Sequence, residues 1–210
     1  MTLQNIFKIS PSPTTLHRLA EYLCLLSQLP QKEYSKISSS QLAQMMDIKP
    51  SQLRQDFHHF GGFGKPGHPY NLSHLREELM KIYGVDKPVN LLISGASPIA
   101  EALLDNQSLA DLNIRIRGVV DLDMKIQGTE THSYIIMAPS ELPEFVENNH
   151  IHIGAICSDD PETDLELLVN SGLKAIWNLS PKYLSPSKGI IIYNQNMAAG
   201  LLTLIYNLKH

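Results

Sequence analysis

Apolar positions in the first third of the chain recur at helical spacing. Leu16, Leu19, Leu23 and Leu26 follow the candidate caps Ser10, Ser12 and Thr14 and predict a first helix that Pro30 ends. Ser38, Ser39 or Ser40 then caps a short second helix with Leu42, Ala43 and Met46 inward. Lys49-Pro50 opens a third, with Leu53, Phe57 and Phe60 inward and Gly61 as its stop. "GFGKPGHPY" is a loop or hairpin, and a fourth helix runs from Asn71 or Ser73 to Gly84. "VDKP" is the linker.

Beyond the linker the period changes. "VNLLIS", "IRIRGVVDLD", "SYIIMAP", "IHIGAICS", "LKAIWNL" and "GIIIYN" read as six strands. Helices are expected from about Pro98 to Leu109, over "PETDLELLVNSG", and in the apolar C-terminal "MAAGLLTLIYNL". Strands alternating with helices imply a parallel sheet covered on both faces. The fold class is α/β, with a winged helix-turn-helix domain over residues 1–86 and a Rossmann-like sheet with a C-terminal helix over 87–210.

Composition supports an ordinary globular chain, at 43% hydrophobic and 18% charged residues. No apolar run reaches membrane-spanning length, and the start lacks a signal-peptide pattern, so a cytoplasmic protein is expected. The net charge of −4 is split unevenly: residues 1–87 carry +3 and residues 88–210 carry −7. A basic head on an acidic body suits a DNA-binding module joined to a sensing or dimerising one.

The second helix, four-residue turn and third helix have helix-turn-helix proportions. Ser51, Gln52, Arg54 and Gln55 lie opposite Leu53 and Phe57. Arginine can grip a guanine edge and glutamine an adenine edge, while Lys49 and Ser51 at the helix start can hold a phosphate. The loop beyond, with Lys65, Gly67, His68 and Tyr70, can serve as a wing. An ordinary three-helix bundle with a solvated polar face fits the same pattern.

The stretch Leu53-Arg54-Gln55-Asp56-Phe57-His58-His59-Phe60-Gly61, followed by Phe63-Gly64-Lys65-Pro66-Gly67-His68-Pro69-Tyr70, resembles the winged-helix signature of the Rex family of redox-sensing repressors. That family reads V-R-x-D-[LF]-x-x-F-G and then F-G-x-x-G-x-x-Y. The likeness continues more weakly through "IWNLSP" and "AAGLLTLIYNL". It implies a homodimer on a palindromic DNA operator, exchanged C-terminal helices and NAD(H) as the sensed ligand. Gln55 departs from it, standing where a second basic residue is usual.

The body departs further. In a dinucleotide loop three glycines make the turn, admit the pyrophosphate and allow close packing. Here the loop reads Gly95-Ala96-Ser97-Pro98-Ile99-Ala100. Ser97 puts a side chain where the second glycine belongs, and Pro98 removes a backbone donor. Asp121, ending its strand, is placed to hold an adenosine ribose. The family's Val-Pro pair near the nicotinamide is replaced by Cys157, Ser158, Asp159 and Asp160, and its redox-switch aspartate by Asn196. These departures predict a Rex-like repressor with weak or lost NAD(H) response. A functional NADH sensor and a small NAD-dependent oxidoreductase are the alternatives. The sequence offers no placed Lys–His or Tyr–Lys pair for proton transfer to a carbonyl, so no enzyme is expected. No metal site is expected either, since adjacent His58 and His59 diverge on a helix, and Cys157 is oddly spaced from His150 and His152.

Overall fold

A computed structural model of the chain describes residues 11–30, 33–60, 63–64 and 67–209. It divides into two compact units, Met1–Lys87 and Pro88–His210.

The first unit holds helices α1 (Pro13–Gln28), α2 (Ser39–Met45), α3 (Pro50–His58) and α4 (Leu72–Tyr83), with two-residue strands β1 (Lys36–Ile37) and β2 (Tyr70–Asn71) paired antiparallel. Each helix begins where the chain supplies a start. Ser12 accepts from the Thr15 N–H, Ser38 and Gln41 form a reciprocal capping box, Pro50 occupies the first turn of α3, and Asn71 accepts from the His74 N–H. Gly84, in the left-handed region, stops α4. α3 ends at His58, before Gly61, which lies outside the described residues. On α1 the buried set is Leu19, Tyr22, Leu23 and Leu26; Leu16 is exposed, and Tyr22 replaces it in the core.

Two adjacent residues of α3 tie this unit together. Phe57 meets Tyr22, Phe63 and Tyr70 edge to face at 5.7, 4.9 and 5.4 Å between ring centres. Each such pair contributes about 0.5–1.5 kcal/mol beyond area burial. Asp56 is 1% exposed and accepts four hydrogen bonds: Arg18 Nε to Oδ2 at 2.8 Å, Arg18 Nη2 to Oδ1 at 2.6 Å, Tyr22 Oη to Oδ2 at 2.8 Å and Gln52 Nε2 to Oδ1 at 3.0 Å. Burial alone would raise the Asp56 pKa, but the bonds from Arg18, Tyr22 and Gln52 outweigh it and hold the carboxyl below its ordinary value.

The second unit is a seven-stranded sheet in the order β5-β6-β4-β3-β7-β8-β9. Its strands are β3 (Val89–Ser94), β4 (Ile114–Val120), β5 (Glu130–Thr131), β6 (Tyr134–Met137), β7 (Ile153–Ile156), β8 (Ala175–Asn178) and β9 (Ile191–Asn194). All pairings are parallel except β5 with β6. Alternation on β3 feeds two apolar layers: Leu91 and Ile93 join Ala100, Leu103 and Val119 on one face, and Leu92 joins Val120, Leu142 and Leu168 on the other. This is the doubly wound α/β architecture expected. Its strand order reverses at β3, which places a crevice at the carboxyl ends of β3 and β7.

Three local expectations need correction. The helix expected from Pro98 to Leu109 is two: α5 (Pro98–Leu104) and α6 (Gln107–Asp111), because Asn106 breaks the run and caps its second part through the Ser108 N–H. α7 (Leu142–Asn148) was not anticipated between β6 and β7; it is short, and Pro143 in its first turn masks it. The β5 edge strand is too brief to leave a periodic signal. α8 (Pro161–Asn170) and α9 (Met197–Lys209) stand as expected. α9 leaves Met197 72%, Leu202 65% and Leu208 77% exposed.

Removing the Asp56 carboxylate strands Arg18 and unpins α3. Asp56→Ala should destabilise the first unit by about 3 kcal/mol. The readout is hydrogen exchange of the α3 amides in the full chain, with fluorescence of Trp177, on β8 in the second unit, unchanged. Because the folded pKa is depressed, this stabilisation is present above the unfolded carboxyl value of about 3.9 and is lost as pH falls through the folded value. α3 protection should therefore drop below about pH 4 in the wild type.

Candidate nucleic-acid interface and the Gly95 crevice

With Leu53, Asp56 and Phe57 turned inward, α3 presents Ser51, Arg54, Gln55 and His58 on one exposed face. Their i, i+3, i+4, i+7 spacing makes that face continuous. Arg54 reaches the Ser39 hydroxyl at 3.3 Å and has no carboxylate partner among the described residues. The contrast is with Arg18, held on both oxygens of Asp56; Arg54 keeps its planar charge without an ion pair among the described residues.

Arg54 opens on a hollow of about 600 Å³ between the start of α2 and the segment leading into β2, shared with Ser39, His58, His68 and Tyr70. The Tyr70 ring rests on Phe57, so that segment is fixed to α3 through the core. Burial raises the Tyr70 phenol, and the nearby Arg54 charge opposes the rise. Gly67, at φ +82°, lets the backbone turn into the segment. Lys49 is exposed at the start of α3 with no capping bond of its own. Lys65 lies outside the described residues.

Gln52 is placed differently from its expected position on the reading face. Its amide donates to Asp56 and it is half-buried, so it braces α3 from within. His58 was missed as a member of the exposed face, although its spacing from Arg54 could have found it. Arg18 and Tyr22, 38 and 34 residues from Asp56, carry no sequence signal of their pairing.

At the crevice the loop uses up its own donors. Gly95 has φ +95°, and a Cβ there would lie 2.7 Å from both the backbone N and the Cβ of Ser158. The Ala96 N–H donates to Asp121 Oδ2 at 2.7 Å, and the Asp123 N–H to Asp121 Oδ1 at 2.8 Å. Ser97 caps α5 by accepting from the Ala100 N–H at 3.4 Å. Pro98 has no N–H to offer, and Ile99 packs its side chain against the apolar layer below.

Beneath the loop, buried Asp164 on α8 accepts from the hydroxyls of Ser94, at 2.8 Å, and Ser158. Burial raises its pKa; the two hydroxyls oppose this, and the charges of Asp121 and Asp160 add to the rise. This acid was not singled out from the sequence, where it is one of several carboxylates in "SDDPETD". Burial, with Asp164 nearby, pushes the Cys157 thiol up to about 12, so it is no nucleophile near neutral pH. Among the described residues no three His, Cys, Asp or Glu side chains gather to hold a metal, and no helix is long and apolar enough to cross a membrane.

Of the loop's backbone donors, that of Ala96 is bonded to a carboxylate and that of Ala100 to a hydroxyl, Pro98 has none, and Asp121 sets a negative charge beside them. Asn196 opens α9 by accepting from the Ala198 N–H.

A helix-turn-helix unit with a wing-side segment, joined to a doubly wound sheet, defines a transcription regulator of the winged-helix and dinucleotide-fold class. Residues 8–58 match the family described as "Putative DNA-binding protein N-terminus". The chain is 33% identical to the redox-sensing transcriptional repressor Rex of Caldanaerobacter subterraneus subsp. tengcongensis, across 94% of this chain and 89% of that one. It is 30% identical to Rex of Clostridioides difficile, across 94% and 95%. Among solved structures it is similar to RSP in complex with beta-NAD+ and operator DNA, with a TM-score of 0.82, 32% identity, and coverage of 96% of this chain and 94% of that one. RSP in complex with beta-NADH gives 0.81, at 30% identity and coverage of 96% and 95%. The chain belongs to the Rex family of redox-sensing transcriptional repressors.

Gly95→Ala forces a Cβ into the Ser158 backbone at a positive φ. It should cost the second unit more than about 2 kcal/mol, read as a lower urea midpoint of Trp177 fluorescence.

Proposed function

We propose that the chain acts in the cytoplasm as a homodimeric repressor that binds a palindromic operator and responds weakly or not at all to NAD(H). The observation that carries the DNA reading is the unpaired guanidinium of Arg54, on a helix whose one carboxylate is buried and neutralised behind it. Arg54 and Gln55 enter the major groove, and Lys49 and Ser51 hold the phosphate at the helix start. Gly67, His68 and Tyr70 approach the neighbouring backbone. Gln52 acts on the groove only through Asp56.

The apolar face of α9 supports the dimer. Side chains as exposed as Leu202 and Leu208 need cover, and a second copy supplies it. The weak NAD(H) response is supported by the internal use of the loop donors at Ala96, Ser97 and Asp121. Gly95, Pro98 and Ile99 then keep the turn and the packing of the crevice without its phosphate cradle. An oxidoreductase reading has no support in a crevice whose thiol stays protonated.

Selection of duplexes from a random pool at fixed salt tests the DNA reading: an inverted repeat should emerge. Arg54→Ala should then lose about 1–3 kcal/mol of operator binding and relax preference at one base-pair position. Calorimetric titration of the full chain with NADH and NAD⁺ tests the second part. Little or no heat is expected, and micromolar NADH binding would return the chain to the redox sensors.

A further inference from the structure

The hollow beside α3 holds more cationic capacity than Arg54. His58 follows Arg54 by one turn of α3, and His68 lines the same hollow from the segment before β2. Both imidazoles are exposed, and neither has a hydrogen bond or ion pair with another described residue. The described lining contains no carboxylate. The acid of α3, Asp56, faces the opposite way into Arg18, Tyr22 and Gln52.

We propose that His58 and His68 join Arg54 as partners of operator phosphates, and that operator binding takes up protons through them. The inference rests on the DNA-binding reading above. The groups facing the two imidazoles are few. Arg54 lies on α3 and Tyr70 on β2, and the Ser38–Gln41 segment of α2 brings no charge. A phosphate in the hollow favours the imidazolium, because only that form donates from both nitrogens to an anion. Proton uptake is therefore a property of the complex.

Fluorescence anisotropy of the full chain on its selected operator, at constant ionic strength from pH 6 to pH 8, tests this. Affinity should be roughly tenfold higher at pH 6. The double variant His58→Gln/His68→Gln should lose most of that difference, and its salt slope at pH 6 should be shallower by about one to two. His17→Gln on α1, whose imidazole lies 3.5 Å from Glu21, should keep the wild-type pH dependence. Circular dichroism checks that the variants are folded; both replaced side chains are exposed. A flat pH profile in the wild type, or a pH dependence that survives in the double variant, overturns the inference. A chain with no operator preference at any pH overturns the DNA-binding reading, and this inference with it.

Discussion

Asp56 sits almost wholly out of water and survives as a carboxylate because four donors meet it. A buried ion pair of this kind adds little net stability over an apolar packing of the same volume. What it adds is uniqueness: Arg18 and Tyr22 lie on α1, so only one rotation of α3 about its axis satisfies the carboxylate. That rotation sets the outward face. Phe57, the next residue, carries the apolar half of the same constraint through its rings to Phe63 and Tyr70. Two consecutive side chains thus fix the recognition helix to the helix behind it and to the segment beside it.

The second unit keeps the doubly wound fold around a loop whose donors are partly bonded within the protein. The sheet is held by two apolar layers fed from alternate residues of β3, and one of them also takes in Ala96, Ile99 and Ala100 of the loop after Gly95. The loop still needs the glycine, for a reason internal to the protein: Ser158 stands where a side chain would go. Asp121 and Ser97 take up the Ala96 and Ala100 N–H groups, so part of the loop's donor set is spent inside the protein. Fold and ligand chemistry come apart here because different residues carry them.

Periodicity made the elements legible where one face is buried, as on α1 and α8, and β3, buried on both faces, read as a continuous apolar run. It failed where a helix is short and broken by its own caps, at Asn106, and where a seven-residue helix opens on a proline, at α7. The outward face of α3 could be read from Leu53 and Phe57, which place Arg54 and Gln55 opposite. Gln52 could not, since its direction depends on a carboxylate that is itself turned inward by residues on another helix. Departures at Ser97 and Pro98 were visible as residue types. The bond from Ala96 to Asp121 was not, because a strand-end aspartate has the same sequence signal whether it binds a ribose or its own loop.

If a second copy covers the exposed apolar surface of α9 reversibly, chain concentration becomes an input to the regulator. A helix covered by a second copy links assembly to the square of the monomer concentration. Occupancy of a two-fold site by such an assembly rises more steeply with expression than binding by a permanent dimer would. In a cell, a modest change in synthesis or turnover of the chain then becomes a sharper change in repression. Abundance of the chain is then a graded signal in its own right.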